Sequence, residues 1–142
     1  MSSLPADVAD FIASARVGRL ATADSAGQPL VVPICYAWDG EALVSAIDAK
    51  PKRAGELARV RNIRENPKVS VVIDQYEEDW GRLRWVIIQG FAEILTAGRD
   101  FAKGVDLLLS KYPQYGGMGL SRDRGTMIKV RPGKVLRWRY AS

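Results

Sequence analysis

Residues 83–95, "LRWVIIQGFAEIL", form a long apolar run with a glycine inside it. The β-branched and aromatic content reads as a strand, and Gly90 within it marks a bulge or sharp bend. Bends of this kind curl a sheet into a barrel. Working outward, "VSVVIDQY" (69–76) is a short buried strand, and "TMIKVRPGKVLRWRYAS" (126–142) reads as a hairpin turning at Pro132 and Gly133. Upstream, "VGRLATADSAGQPLVVPICYAWDGEALVSAID" (17–48) gives three strand-like runs separated by turns built on Asp and Gly, which predicts an antiparallel meander. Pro29 starts the second run and Pro33 lies within it, so this strand has an edge, a bulge or a ligand along it where a ladder N–H is dispensable.

Helical spacing predicts three helices. In "SSLPADVADFIASA" (2–15), Ser3 caps, Pro5 sits in the first turn, and Leu4, Val8, Phe11, Ile12 and Ala15 share a face. Residues 54–66 place Leu57, Val60 and Ile63 toward a core, and "GRDFAKGVDLLLSKYP" (98–113) does the same with Phe101, Val105, Leu108 and Leu109. Six or seven antiparallel strands with three flanking helices define a mainly β, α+β class: one small barrel domain over residues 1–142.

The chain has no histidine, which removes the commonest general base, the His-dependent nucleophile systems and every His-containing zinc site. Catalysis here has to come mostly from a bound cofactor. The single Cys35 cannot make an internal disulfide and reads as a small core residue in a reducing compartment. No apolar run is long enough for a membrane helix and the N-terminal residues lack a signal-peptide pattern, so the expected location is cytoplasmic, without a membrane partner.

Charge is uneven. Residues 50–68 hold seven Lys and Arg against Glu56 and Glu65, residues 122–139 hold seven against Asp123, and the remainder is net acidic. Two basic zones on an otherwise acidic chain of net charge +5 suggest specific anion sites; the alternative is two solvated faces. Arg59, with Lys50, Lys52 and Arg53 in the preceding loop, converges near the start of the second helix, where free N–H groups favour a phosphate. Arg61, Arg64 and Lys68 fall on another stripe, and Arg61 and Arg64 read as partners of Glu56 or Glu65. Nucleic acid is not the expected partner: no recognised module is present and aromatics are sparse near residues 50–68.

"EEDWGRLRW" (77–85) holds three adjacent acids, read as structural partners of Arg82 or Arg84 and not as a metal site. Trp80 either walls a flat ligand or plugs the barrel, and Trp85 belongs to the core. In "KVLRWRY" (134–140), alternation offers Arg137 and Arg139 to a partner subunit or an anionic ligand and buries Trp138 on the other face. The glycine-rich "YGGMGLSRDRG" (115–125) lacks the Lys-Ser or Lys-Thr of a phosphate loop.

"GRLATADSAGQPLVVPICYAWDG", "RNIRENPKVSVVID" and "YEEDWGRLRWVIIQGFAEI" together make the chain similar to the pyridoxamine 5′-phosphate oxidase-like split β-barrel superfamily. Within it, the chain resembles the actinobacterial branch of coenzyme F420-dependent oxidoreductases more than the flavin-mononucleotide oxidases. The resemblance implies a homodimer with two cofactor sites at the interface. It places Arg59, four residues before Ile63, on the cofactor phosphate, and lays Pro33, Ile34 and Cys35 along the tricyclic ring. Lys50, Lys52 and Arg53 suit the phosphodiester and oligoglutamate tail of F420. The second-strand Arg and Lys of the oxidases and their C-terminal histidine motif are missing from this chain, which disfavours pyridoxamine phosphate oxidation.

The function this implies is hydride transfer from reduced deazaflavin to an unsaturated or conjugated small molecule, with a proton from Tyr36, Tyr76 or water and with Trp80 or Met118 bordering the open face. FMN-dependent reduction on the same fold and a non-catalytic cofactor carrier are the alternatives.

Overall fold

The computed structural model describes residues 4–47 and 56–140. Three helices, α1 (Ala6–Ser14), α2 (Ala58–Glu65) and α3 (Arg99–Lys111), pack with seven strands. The strands are β1 (Gly18–Ala23), β2 (Pro29–Ile34), β3 (Ala37–Trp38), β4 (Leu43–Ile47), β5 (Lys68–Gln75), β6 (Arg84–Leu95) and β7 (Thr126–Arg139). They form one antiparallel sheet in the order β2-β1-β5-β6-β7-β4-β3. The β1–β2 turn is tied by the Asp24 carboxylate, which accepts from the N–H groups of Ala26 and Gln28 at 2.9 Å each. Asp39 does the same for Glu41 and Ala42 at 2.7 Å between β3 and β4.

Gly90 is where the expected bend falls. The β6–β7 register shifts between Gln89 and Gly90, and Gly90 pairs with Pro132 while Gln89 pairs with Lys134, leaving Gly133 as the extra residue. A Cβ on Gly90 would run into the Arg131 carbonyl oxygen and lie 2.9 Å from its carbon and 3.0 Å from Pro132 Cα. Only glycine lets the two backbones approach so closely.

Pro132 and Gly133 therefore do not turn a hairpin. They sit at the bulge inside one continuous strand of 14 residues, where a missing proline N–H costs no ladder bond.

The three-run meander is also corrected. β2 ends at Ile34 and β3 begins at Ala37, yet the two strands are the opposite edges of the sheet. Three Cα–Cα steps span at most about 11 Å, so the sheet has to curl until its edges meet. The seam is closed by side chains and not by a ladder: Ser45 Oγ donates to the Cys35 carbonyl at 2.8 Å, the Tyr36 hydroxyl donates to the Ile12 carbonyl, and the Tyr36 N–H donates to the Tyr112 hydroxyl at 3.3 Å.

Inside the curl, Leu20, Val71, Ile73, Val86, Ile88 and Val130 meet Val8, Phe11 and Ile12 of α1 and Val60 and Ile63 of α2. Each fully buried side chain of this kind contributes about 1.5–3 kcal/mol. The cap of α1 is Pro5, with no side-chain bond to its first turn, and Ser3 lies outside the described residues. On the opposite face, α3 covers β3, β4 and β7 through Phe101, Val105, Leu108 and Tyr112 against Ala37, Val44 and Met127. The outer face of β2, β1, β5, β6 and the second half of β7 has no helix over it. Val31, Phe91 and Trp138 stand 61%, 53% and 42% exposed there.

Candidate functional site

The seam and the start of α2 form one neighbourhood, joined by residues from the end of α3. Tyr112 packs edge-on against Tyr115 at 5.9 Å, and its hydroxyl also donates to the Arg16 carbonyl at 2.8 Å. Tyr115 in turn faces Arg59, whose charged form it favours. Pro33, Ile34 and Cys35 lead into the seam, with Ile34 buried and Pro33 and Cys35 exposed.

Arg59 is the second residue of α2, and its guanidinium is partly buried. The buried Nε has no hydrogen-bond partner, and no carboxylate among the described residues pairs with it. Burial pulls its pKa down, with Tyr115 opposing. The helix cap, Leu57, brings no side-chain bond, and its carbonyl accepts from the Val60 and Arg61 N–H groups, so the earlier N–H groups of Ala58 and Arg59 stand beside a cation that has no carboxylate partner among the described residues. Orphaned donors around a guanidinium suit a phosphate oxygen set, which accepts from several directions.

Lys50, Lys52 and Arg53 lie outside the described residues. Arg64 pairs with Glu56 at 3.1 Å, and Arg61 donates to the Glu56 carbonyl, so these two belong to the helix surface as read from sequence. In the second basic zone, Arg122, Lys129, Arg131 and Arg139 are paired with Asp106, Asp100, Glu93 and Asp7. Much of that zone is therefore ion-paired surface.

Several single-residue readings change. Cys35 is exposed, not core, because it sits in the seam where no strand lies beside it. Tyr36 is fully buried and its hydroxyl donates to the Ile12 carbonyl; burial, then Tyr112, raises its pKa well above the usual phenol range, so the proton expected to be available to a substrate is engaged inside the fold. Trp80 is 59% exposed on a 3-10 turn (Trp80–Arg82), with its indole N–H toward the Tyr76 hydroxyl at 3.4 Å, so it does not plug the barrel. Glu77 pairs with Arg82 at 3.4 Å, as expected. Trp85 and Trp138 stack on each other at 6.4 Å on the open outer face, and neither lies in the core. Arg137 stands opposite Val86 near the start of α1; no hydrogen bond or ion pair among the described residues joins it to Arg59 or Cys35.

Lys111 escaped the sequence reading. Its ammonium donates to the Ala15 carbonyl at 2.7 Å and lies 4.2 Å from the Tyr36 ring centroid. Burial and Arg16 lower its pKa to about 8, with Cys35 opposing. Lysine at a helix end looks like a dipole partner in sequence; its burial depends on the distant Tyr36 and Ala15.

The pattern of the family described as Pyridoxamine 5′-phosphate oxidase matches residues 4–139. A 5a,11a-dehydrotetracycline/5a,11a-dehydrooxytetracycline reductase of Streptomyces rimosus subsp. rimosus is 34% identical over 85 residues, 58% of each chain. The match thus spans little more than half of that relative's length. A conserved hypothetical protein of Mycobacterium tuberculosis shares the fold with a TM-score of 0.73 and 26% identity, over 98% of this chain and 86% of that one. A FAD-binding protein of Mesorhizobium loti superposes with a TM-score of 0.71 at 24% identity, over 96% and 93%. The heme storage protein HutZ of Vibrio cholerae superposes with a TM-score of 0.71 at 15% identity, over 95% and 94%.

Proposed function

The chain belongs to the pyridoxamine 5′-phosphate oxidase family, and from that membership we propose that it is an oxidoreductase that holds coenzyme F420 and reduces an unsaturated or conjugated small molecule. The observation that carries the reading is Arg59, a partly buried guanidinium with an orphaned Nε at an uncapped helix start. The reductase from Streptomyces rimosus, whose name describes action on dehydro compounds, supports the reaction class.

When bound, the reduced deazaflavin supplies a hydride equivalent. The chain's own residues do the rest. Arg59 and the first N–H groups of α2 would hold the phosphate, while the negative tail is the sequence-based expectation for Lys50, Lys52 and Arg53, which lie outside the described residues. The backbone of Pro33, Ile34 and Cys35 would run along the ring, and Trp80 and Met118, both exposed, would border the substrate. Lys111, with a pKa of about 8 beside Cys35, is a better proton store than Tyr36 near neutral pH. A free thiol and a reduced cofactor fit the cytoplasm, and among the described residues no helix is long and apolar enough to cross a membrane.

The functional unit in this reading is a homodimer with its sites at the interface. Its support is the open sheet face, where Phe91 lines a shallow cavity of about 480 Å³ with Ala21, Ala23, Pro29 and Gly133, and Val31 and Trp138 stand exposed on the same face. An apolar patch of this sort on a folded domain marks an interface.

The test is a parallel titration with F420 and FMN, followed by cofactor fluorescence. Selective F420 binding that weakens about tenfold or more in Arg59→Ala, the loss of one charge-assisted contact, supports the reading. FMN preference moves the protein to flavin chemistry. Binding of neither refutes the cofactor role, and binding without turnover of any acceptor makes the protein a carrier.

A further inference from the structure

At the far end of the β6–β7 pair the sheet gathers arginines on one face. Arg84 and Arg139 are directly opposed across the two strands, and Arg137 lies one same-face step along β7, opposite Val86. Like charges in direct cross-strand register oppose pairing, so this placement is unfavourable unless an anion sits among them. The start of α1 forms the other wall: Pro5, Asp7 and Val8 close a cavity of about 420 Å³ with these three arginines.

Compensation within the chain is small. Asp7 reaches Arg139 at 3.7 Å, with both side chains about half exposed, a geometry in which a pair contributes little. Arg84 sits over the Phe11 ring, its guanidinium carbon 4.1 Å from the centroid, a contact that holds the group in place without neutralising it. Among the described residues neither Arg84 nor Arg137 has a carboxylate partner. Two positive charges are left over in a concave groove.

We propose that this groove is an anion site, separate from the start of α2, for a ligand carrying at least two negative charges on phosphate or carboxylate groups. Planar guanidiniums at fixed positions recognise such groups through paired N–H bonds. The groove is complete within one chain, so it acts whether or not the F420 reading holds.

The experiment is calorimetric titration of the full chain with inorganic pyrophosphate and, separately, citrate, comparing wild type, Arg84→Gln/Arg137→Gln, Asp7→Asn and Arg59→Gln. Saturable binding of at least one probe is expected, weakened about tenfold or more in the double variant by loss of charge-assisted bonds. It should be retained in Arg59→Gln and tightened severalfold in Asp7→Asn, where the competing carboxylate is gone; a merely structural role for the arginines would not produce that gain. The preferred probe distinguishes phosphate from carboxylate ligands. No saturable binding, equal affinity in the double variant, or loss confined to Arg59→Gln overturns the proposal. So does a double variant that changes oligomeric state at unchanged affinity, because the groove is then a protein contact.

Discussion

Replacing Gly90 by alanine tests the bulge on which the curl of the sheet depends. The added Cβ runs into the Arg131 carbonyl oxygen, 2.9 Å from that carbonyl's carbon and 3.0 Å from Pro132 Cα. All three obstacles are backbone, so no side chain can swing away. Relief requires β7 to retreat by about 1 Å, which breaks two or three flanking ladder bonds at about 1 kcal/mol each and adds about 1–3 kcal/mol of overpacking strain. The expected cost is about 3–6 kcal/mol, a large share of a typical domain stability of about 5–15 kcal/mol. Urea unfolding followed by tryptophan fluorescence reads it as a lowered midpoint at unchanged slope. Gly133→Ala is the internal control: its Cβ would meet only the Gln89 carbonyl oxygen at 3.6 Å, an ordinary contact, and should cost less than about 1 kcal/mol. If Gly90→Ala is as mild as Gly133→Ala, or if both are equally costly, the close-approach argument is wrong.

Three further outcomes are expected. Thr22→Val should cost about 1–3 kcal/mol, because the buried Asn62 amide loses the hydroxyl it donates to at 3.0 Å, and adding Asn62→Leu should recover part of that cost in a double-mutant cycle. Lys111 titrates near pH 8 in the folded chain against an ordinary 10.5, so the unfolded chain binds more protons between those values and stability should rise with pH across that window. The rise should be on the order of 1–2 kcal/mol for a partly exposed ammonium, and Lys111→Met should flatten it in denaturation curves at pH 7.5 and 10. Phe91→Glu with Val31→Glu should turn a dimer into a folded monomer in light scattering; unchanged mass would refute the proposed interface.

Much of the fold was legible because its cues are local. Hydrophobic spacing located α3, Pro29 and Pro33 marked an edge strand, and Gly90 marked the bulge. What failed was long-range. Pro132-Gly133 is a good turn sequence, but Gly90 across the ladder uses it as a bulge. The "ICYAW" stretch reads as part of the second strand-like run, and nothing local says that its halves serve opposite edges. Cys35, expected in the core, is exposed for the same reason, and its neighbour Tyr36 is fully buried. Arg59 was recognisable from its place at a helix start, whereas Lys111, Tyr112 and Tyr115 lie near the seam only because α3 packs across β3 and β4.

The seam also sets an order of assembly. β4 is made early, yet its ladder partners are β3 and β7, and β7 comprises residues 126–139. As the chain emerges from the ribosome, the β1–β2 hairpin can form at once and β5 can join it, while the β3–β4 hairpin waits some eighty residues for β7. Such distant pairing is slow, and the apolar faces of Leu43 and Val44 stay uncovered meanwhile. A nascent chain stalled before residue 126 should therefore be protease-sensitive and chaperone-bound, with the seam among the last parts to take shape.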